Sequence, residues 1–467
     1  MTSPALGTAE RPLRVAIIGA GPSGFYTAAA LLARPKLAPD LAVSIDLIDR
    51  LPAPYGLVRY GVAPDHAKIK EVAKVFERTA LDPRVRYLGH VEYGRDLDLA
   101  DLLACYDQVV FTVGGQSDRR LGVPGEDLAG SHSSTAFVAW YSCHPDFLDL
   151  AVDLSCEAAV VVGVGNVAVD VARVLVRDPD ELAKTDISDD ALARLRSSRV
   201  RDVYVLARRG PVQAKCSPAE LKELANLSGV DLIVDPAELE LDPVSEAELA
   251  KDAQLQKNLA ILRAAAERGA TGAPRRIHLR FLVSPVEVLG ADGRVIGVKL
   301  EKNRLEPRGD DLAARGTGVF ETLDAGLVVR AVGYRSLPLP EVPFDDRRGV
   351  IPNERGRVLD PTAGTPLPRL YVAGWVKRGP TGLIGSNKPD GAETASLMVE
   401  DLPSLSPAPE PSPEAVDRRL AERGVRVVDW PAWQRLDRQE IEAGVPAGRP
   451  RVKIGPVAAM LAALSEG

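Results

Sequence analysis

Two short glycine-rich segments hold the residues best suited to chemistry. Gly19-Ala20-Gly21-Pro22-Ser23-Gly24 follows the apolar run RVAIIG and precedes the Ala-rich stretch FYTAAALLA. Gly163-Val164-Gly165-Asn166-Val167-Ala168 follows AAVVVG and precedes VDVARVLV. A strand that feeds a glycine turn and then a helix brings bare backbone amides and the positive end of the helix dipole to one point, which suits a pyrophosphate. The first glycine permits the tight turn, the second lets a phosphate approach, and the third lets helix pack on strand, a place taken by Ala168 in the second segment. A further apolar run, VSIDLID, ends at Asp49, 25 residues after Gly24, where a carboxylate accepts hydrogen bonds from a ribose. The equivalent run after the second segment, DVYVLA, ends in Arg208-Arg209 instead. Paired guanidiniums suit a ribose 2′-phosphate, which points to NADP in the second site. The plain alternatives are a ligand-free surface turn and a solvated arginine pair; the joint occurrence of strand, turn, helix and terminal charge argues against both.

One tightly held flavin dinucleotide as relay and one exchangeable nicotinamide dinucleotide as donor would make an electron-transfer enzyme. The four cysteines, Cys105, Cys143, Cys156 and Cys216, form neither a CxxC pair nor a metal or cluster spacing, so redox chemistry falls to an organic cofactor and no metal site is expected. Two further residues stay open between readings. His66 follows Asp65 just before the helical pattern IKEVAKVF, where Asp65 reads as an N-cap and His66 as a first-turn surface residue or an active-site group. Trp375, in the strand-end and glycine-turn segment Gly374 to Gly382, is either core packing or a flavin contact.

The elements that must position these residues are legible in outline. The chain has 467 residues, 45% hydrophobic and 26% charged, with 5% aromatics, 40 Gly and 37 Pro, as expected for a globular α/β protein of two or three domains. Two Rossmann-like dinucleotide-binding domains are expected, the NADP domain inserted into the FAD domain. YDQVVFTVGG (106–115) and GLVVRAVGY (326–334) read as the strands by which the first domain is left and re-entered. The expected boundaries are 1–115 and 326–402 for the FAD domain and 116–325 for the NADP domain. PSLSPAPEPSP (403–413), with five prolines in eleven residues, reads as an extended exposed linker before a weakly helical tail, 414–467. No stretch of about 18 uncharged apolar residues and no N-terminal hydrophobic block occurs, so a cytoplasmic protein without membrane contact is expected. The net charge of −7 argues against nucleic-acid binding.

Longer motifs carry a family resemblance. Leu51-Pro52-Ala53-Pro54-Tyr55-Gly56-Leu57-Val58-Arg59-Tyr60-Gly61-Val62-Ala63-Pro64-Asp65-His66, GGQSDR (114–119), GVGNVAVDVARVL, ARRGPVQA (207–214), VRAVGYR (329–335) and YVAGWVKRGPTGLIGSNK (371–388) occur in this order over nearly the whole chain. Together they resemble the adrenodoxin-reductase-type ferredoxin–NADP reductases, including their actinobacterial members. The resemblance implies an FAD held by Ser23, Asp49, Leu57, Val91, Trp375 and Gly382-Leu383-Ile384, beside the motif glycines Gly19, Gly21 and Gly24. It implies NADP bound by Arg119, Asn166, Val167, Arg208, Arg209, Glu220 and Gly382, beside Gly165 and Ala168. It also places the His66 loop next to the flavin and makes His66, with Glu223, the candidate catalytic pair, in a role of orientation or electrostatic tuning. Two departures stand out: Asp49 where many members have Glu, and Lys215-Cys216-Ser217 in place of a more apolar stretch.

The function so implied is hydride transfer from NADPH to FAD and single-electron transfer to a ferredoxin, with a cytochrome P450 as one class of downstream acceptor. A non-catalytic FAD- and NADP-binding redox sensor remains an alternative. A glutamate-synthase-small-subunit-like electron transferase would bring an N-terminal cysteine-rich segment that is missing here, and a flavin monooxygenase is a minor reading. Basic residues cluster at 194–215 (net +6) and 257–280 (net +5) in the inserted domain, which predicts a positive face for an acidic ferredoxin. Oligomeric state is left open.

Overall fold

The central strand of the first half, Leu13–Ile18, is buried at all six residues, as a non-alternating apolar run requires inside a parallel sheet. In a computed structural model that describes residues 5–33, 38–309 and 311–465, it pairs in parallel with Val43–Asp49 on one side and Gln108–Phe111 on the other. Val85–Gly89 and Pro366–Val372 extend the sheet in parallel, and Arg357–Leu359 and Asn353–Glu354 close one edge antiparallel. The outer ends of the expected first domain and tail, residues 1–4 and 466–467, lie outside the described residues.

A second, wholly parallel sheet runs in the order Ser131–Ser133, Leu327–Arg330, Ala158–Val162, Asp202–Leu206, Arg275–Arg280, Val230–Val234. All six strands fall in sequence between the fourth strand of the first sheet and its last three, which is an insertion. One boundary differs from expectation. Leu327–Arg330, expected to re-enter the first domain, pairs with Ala158–Val162 and Ser131–Ser133, so the chain returns to the first sheet only after Arg335. A short apolar run buried on both faces suits either parallel sheet, and its composition does not say which. The outgoing and returning connections run side by side, Ser117–Asp118 antiparallel to Tyr334–Arg335. A third, antiparallel sheet of Val283–Ala291, Arg294–Arg308 and Asp311–Asp324 lies against the second. Among the described residues no helix is long and apolar enough to cross a membrane.

The segment 403–413 is only partly the exposed linker expected. Ala408 is buried and its N–H donates to Asp107 Oδ1 at 2.9 Å, while the Glu410 N–H reaches the Ala104 carbonyl. The tail beyond it forms helices Pro413–Glu422, Trp430–Gly444 and Val457–Ala463. Trp430, Trp433, Leu436 and Met460 complete the core on one face of the first sheet. Glu440 forms a buried pair with Arg59 at 2.5 Å.

The tail also ties the two sheets' domains together. Lys453 Nζ donates to the carbonyls of Arg59 (3.0 Å) and Ser142 (3.1 Å) and pairs with Asp186 at 3.0 Å; Lys70 pairs with the same carboxylate at 2.5 Å. Burial opposes the Asp186 charge, but Lys453 and Lys70 outweigh it and hold the carboxyl well below the usual carboxylate range. Asp186→Ala leaves two buried ammonium groups without their carboxylate, and a loss of about 3 kcal/mol or more is expected. Because the folded-state pKa of Asp186 is depressed, this contribution is complete above about pH 4 and is lost as pH falls further; at the other end it weakens above about pH 8, the value to which burial pushes Lys453 down. Thermal melts of wild type and Asp186→Ala should therefore differ strongly at pH 7 and converge on acidification; equal melting at pH 7 refutes a stabilising role for the Lys453–Asp186–Lys70 contacts.

Candidate active site

Both glycine turns sit at the carboxyl ends of central strands. The first opens helix Pro22–Leu32 and the second opens helix Asn166–Val176. Gly21 and Gly165 occupy the N-cap positions, and neither receives a side-chain cap, so the leading amides stay available to a ligand. A Cβ on Gly165 would meet nothing within 4 Å, and one on Gly21 only the Gly56 Cα at 4.0 Å. Bare backbone thus faces open space at both helix starts, which fits a pyrophosphate at each. Ala168, by contrast, is fully buried and packs helix on sheet, the structural duty of the third motif position.

Around the first turn the expected residues converge. Asp49 accepts from the N–H groups of Ala20 (2.8 Å) and Leu51 (3.0 Å), and burial raises its pKa against those bonds. Val91 is buried, with its N–H on the Asp49 carbonyl at 2.9 Å. The loop carrying Leu57 docks on the turn through the Tyr55 N–H to the Ala20 carbonyl at 2.7 Å. From the far side comes the segment 374–387. Ser23 Oγ donates to Asn387 Oδ1 at 2.9 Å, and Asn387 Nδ2 donates to the Ile384 carbonyl at 3.0 Å. Trp375 is half-buried and stacks obliquely on Tyr334, centroids 5.2 Å apart, so it is neither a core residue nor free of one. Gly382 adopts a φ of 82°, and Leu383 next to it is 68% exposed.

Around the second turn, Asn166 Oδ1 accepts the Ser217 N–H at 2.9 Å, and Val167 opens the helix beside it. Ser217, within the departing Lys215-Cys216-Ser217 segment, caps helix Pro218–Ala225, which carries Glu220 and Glu223. Arg208 is exposed and Arg209 half-buried just past the strand Asp202–Leu206. Arg119 is exposed on the outgoing connection, its N–H on the Gly333 carbonyl at 2.9 Å.

Between the two turns lies a charge cluster. His66 Nε2 is 3.2 Å from Glu223 Oε2 and 3.7 Å from Glu220, while Nδ1 is 3.9 Å from Asp170. Asp65 is not an N-cap. His66 itself starts the short helix Ala67–Lys70, and Asp65 instead takes Arg173 at 2.8 Å and Arg177 at 2.6 Å from the inserted domain. Arg173 is fully buried and also reaches Asp170 at 2.9 Å, Glu220 at 3.2 Å and Glu223 at 3.5 Å. Burial lifts the Asp170 carboxyl to about 7, with Arg173 opposing. Burial likewise works against the Asp65 charge, yet Arg173 and Arg177 outweigh it and hold that pKa down. Ligand atoms of His66, Asp170 and Glu220 come within 4.8 Å of one another, but the Arg173 guanidinium already pairs with both carboxylates. Sequence reading missed Asp170 and Arg173. Their signal was an ionisable pair three residues apart inside the apolar helical run VDVARVLV.

The basic face is thinner than its charge count. Arg194, Arg196 and Arg199 pair with Asp190, Asp180 and Glu157, Arg276 with Asp202, and Arg280 with Glu238 and Glu321. Lys257, Arg263 and Arg268 remain exposed on helix Ala253–Arg268.

The chain is 45% identical over 459 residues to NADPH-ferredoxin reductase FprA of Mycobacterium tuberculosis, covering 97% of this chain and 99% of that protein. It is 42% identical over 463 residues to the mitochondrial NADPH:adrenodoxin oxidoreductase of Bos taurus, covering 96% and 91%. The solved structure of M. tuberculosis FprA in complex with NADPH superposes with a TM-score of 0.91 at 44% identity, over 97% of this chain and all of that one. No family model matches the chain.

Proposed function

Since the chain belongs to the adrenodoxin-reductase-type family of NADPH–ferredoxin reductases, we propose that it takes a hydride from NADPH onto FAD and passes the electrons singly to an acidic ferredoxin in the cytoplasm. The observation that carries this reading is the pair of glycine turns, each ending a central parallel strand, with four unpaired cysteines and no disulfide to serve as relay. Bound FAD supplies the conversion of a two-electron donor into single electrons, which no side chain here performs.

The chain's own residues bind and orient. The amides that open the helix at Gly21 would hold the FAD diphosphate and the Asp49 carboxylate its ribose, with Ser23, Leu57, Val91, Trp375 and the 382–384 loop around them. Amides from Gly165 to Val167 hold the NADP diphosphate, while Arg119, Arg208 and Arg209 take its phosphorylated ribose. His66, with Glu220 and Glu223 that Arg173 pins, forms a polar wall where the two domains meet, and the three tune the field there rather than supply a proton. Cysteine-pair relays fail for want of the pair, and a pure redox sensor is distinguished by turnover.

The purified protein should be yellow, with about one FAD per chain, and anaerobic NADPH should bleach it. Ferredoxin-dependent cytochrome c reduction should fall steeply as salt rises and the Debye length shrinks from about 10 Å at 0.1 M to about 3 Å at 1 M. Direct ferricyanide reduction should not fall likewise. Charge reversal at the exposed Arg263 and Arg268 should lower the ferredoxin rate alone. A bleached flavin with no ferricyanide turnover would favour the sensor; a ferredoxin rate indifferent to salt and to both reversals refutes the basic docking face.

A further inference from the structure

The turn that carries Arg208 and Arg209 is held by the third sheet as well as its own. In the pair Arg294–Arg308 with Asp311–Asp324, Glu301 faces Phe320, so regular pairing would set residue 303 opposite 318; Asn303 instead faces Gly316. Two extra residues of the facing strand bulge out at Gly318, whose φ is 77° and whose N–H is held by Glu301 Oε1 at 2.9 Å. Such a bulge bends the pair and re-aims the side chains beside it.

Here the re-aimed side chain is Asn303, 9% exposed. Its Nδ2 donates to the Arg208 carbonyl at 2.9 Å and to Ser284 Oγ at 2.7 Å. A carbonyl only accepts, so the amide must present nitrogen to it, and both amide hydrogens are committed. The next carbonyl is held from the same place: the Leu282 N–H donates to the Arg209 carbonyl at 3.2 Å, and the Leu282 carbonyl takes the Asn303 N–H at 2.6 Å. Arg209 Nη1 in turn reaches the Leu312 carbonyl at 3.4 Å. Both carbonyls of the arginine pair are therefore held, one by Asn303 and the other by Leu282, which is itself bonded to Asn303.

We propose that Asn303 is a positioning residue for recognition of the 2′-phosphate: by holding the Arg208 carbonyl it fixes the direction in which the two guanidiniums project, and so sets the preference for a 2′-phosphorylated nicotinamide dinucleotide without touching it. The inference rests on the assignment of Arg208 and Arg209 to that phosphate. Long cationic side chains lose much freedom on binding, and a backbone fixed beforehand lowers what the ligand must order.

The test uses the FAD-loaded enzyme with Asn303→Ala, the near-isosteric Asn303→Leu and, as a reference, Arg208→Ala. Ferricyanide reduction is measured with NADPH and NADH, together with equilibrium binding of 2′,5′-ADP and 5′-AMP. Loss of a buried hydrogen bond predicts a rise of about three- to tenfold in KM for NADPH, with kcat unchanged. The affinity for 2′,5′-ADP should fall by the same factor, while kcat/KM for NADH and binding of 5′-AMP stay as in wild type. A residue that only supports the fold would weaken both nucleotides together, and that result in both Asn303 variants overturns the proposal. So does an unchanged KM ratio where Arg208→Ala shifts it. If Arg208→Ala leaves the ratio unchanged, the assignment of the arginines itself fails, and that variant alone reports it.

Discussion

Gly24→Ala is expected to yield a chain that retains little or no FAD and melts well below wild type. A Cβ at residue 24 would stand 2.1 Å from the Gly19 carbonyl oxygen, 3.1 Å from Thr112 Oγ1 and 3.2 Å from Leu47 Cδ1. The obstacle is backbone of the glycine turn that precedes the helix, so only a shift of helix Pro22–Leu32 away from its strand relieves it. That shift moves the amides proposed to face the diphosphate and strains the core around Phe25 and Leu47. Overpacking of this kind costs about 1–3 kcal/mol where side chains can yield, and more is expected here because backbone cannot. Gly21→Ala provides the contrast. Its Cβ meets no protein atom closer than 4.0 Å, so the apoprotein should melt as wild type while FAD binding is lost to a methyl group standing where the phosphate must come. Flavin content and the melting point of apoprotein, measured for both variants, check the pair of claims; if Gly21→Ala keeps its full complement of FAD, the first turn is not the diphosphate site.

Replacing both Arg208 and Arg209 with Ala is expected to weaken use of NADPH by at least about tenfold while leaving NADH nearly untouched, since each charge-assisted hydrogen bond contributes roughly 1.5–3 kcal/mol. Exposure of Arg208 keeps the effect toward the lower end, because water screens a charge on the surface. The ratio of kcat/KM for the two cofactors, measured by ferricyanide reduction, is the readout. Equal losses with both would mean that the arginines hold the turn rather than the phosphate.

The strand, glycine turn, helix and terminal charge of each proposed nucleotide site were legible because they are local. Within about 30 residues, the apolar run, the motif glycines and the Ala-rich helix answer to one another. Asp49 and Arg208-Arg209 then fall where the next strand ends, whatever the rest of the chain does. The 51–66 and 371–388 motifs added the surrounding contacts by resemblance, and the structure brings both segments onto the first turn.

Other features depend on what lies far away in sequence. Leu327–Arg330 is a short apolar strand that either parallel sheet accepts, and only its pairing with Ala158–Val162 assigns it. The tail carried weak helical patterns, and the tertiary structure makes Trp430 and Trp433 core and turns Lys453 into a tie between domains. Asp65 has the residue type and position of an N-cap, yet Arg173, more than a hundred residues away, claims its carboxylate. By itself the sequence determined that the chain holds two strand, glycine turn and helix units, one ending its next strand in a carboxylate and the other followed by paired arginines, because backbone turns and periodicity act over one or two elements. Tertiary structure alone decided which strand completes which sheet, how the buried charges are paired, and that Asn303 holds the arginine turn. Apolar burial is not selective for its partner, and ion pairs form between whatever groups the completed packing brings within reach.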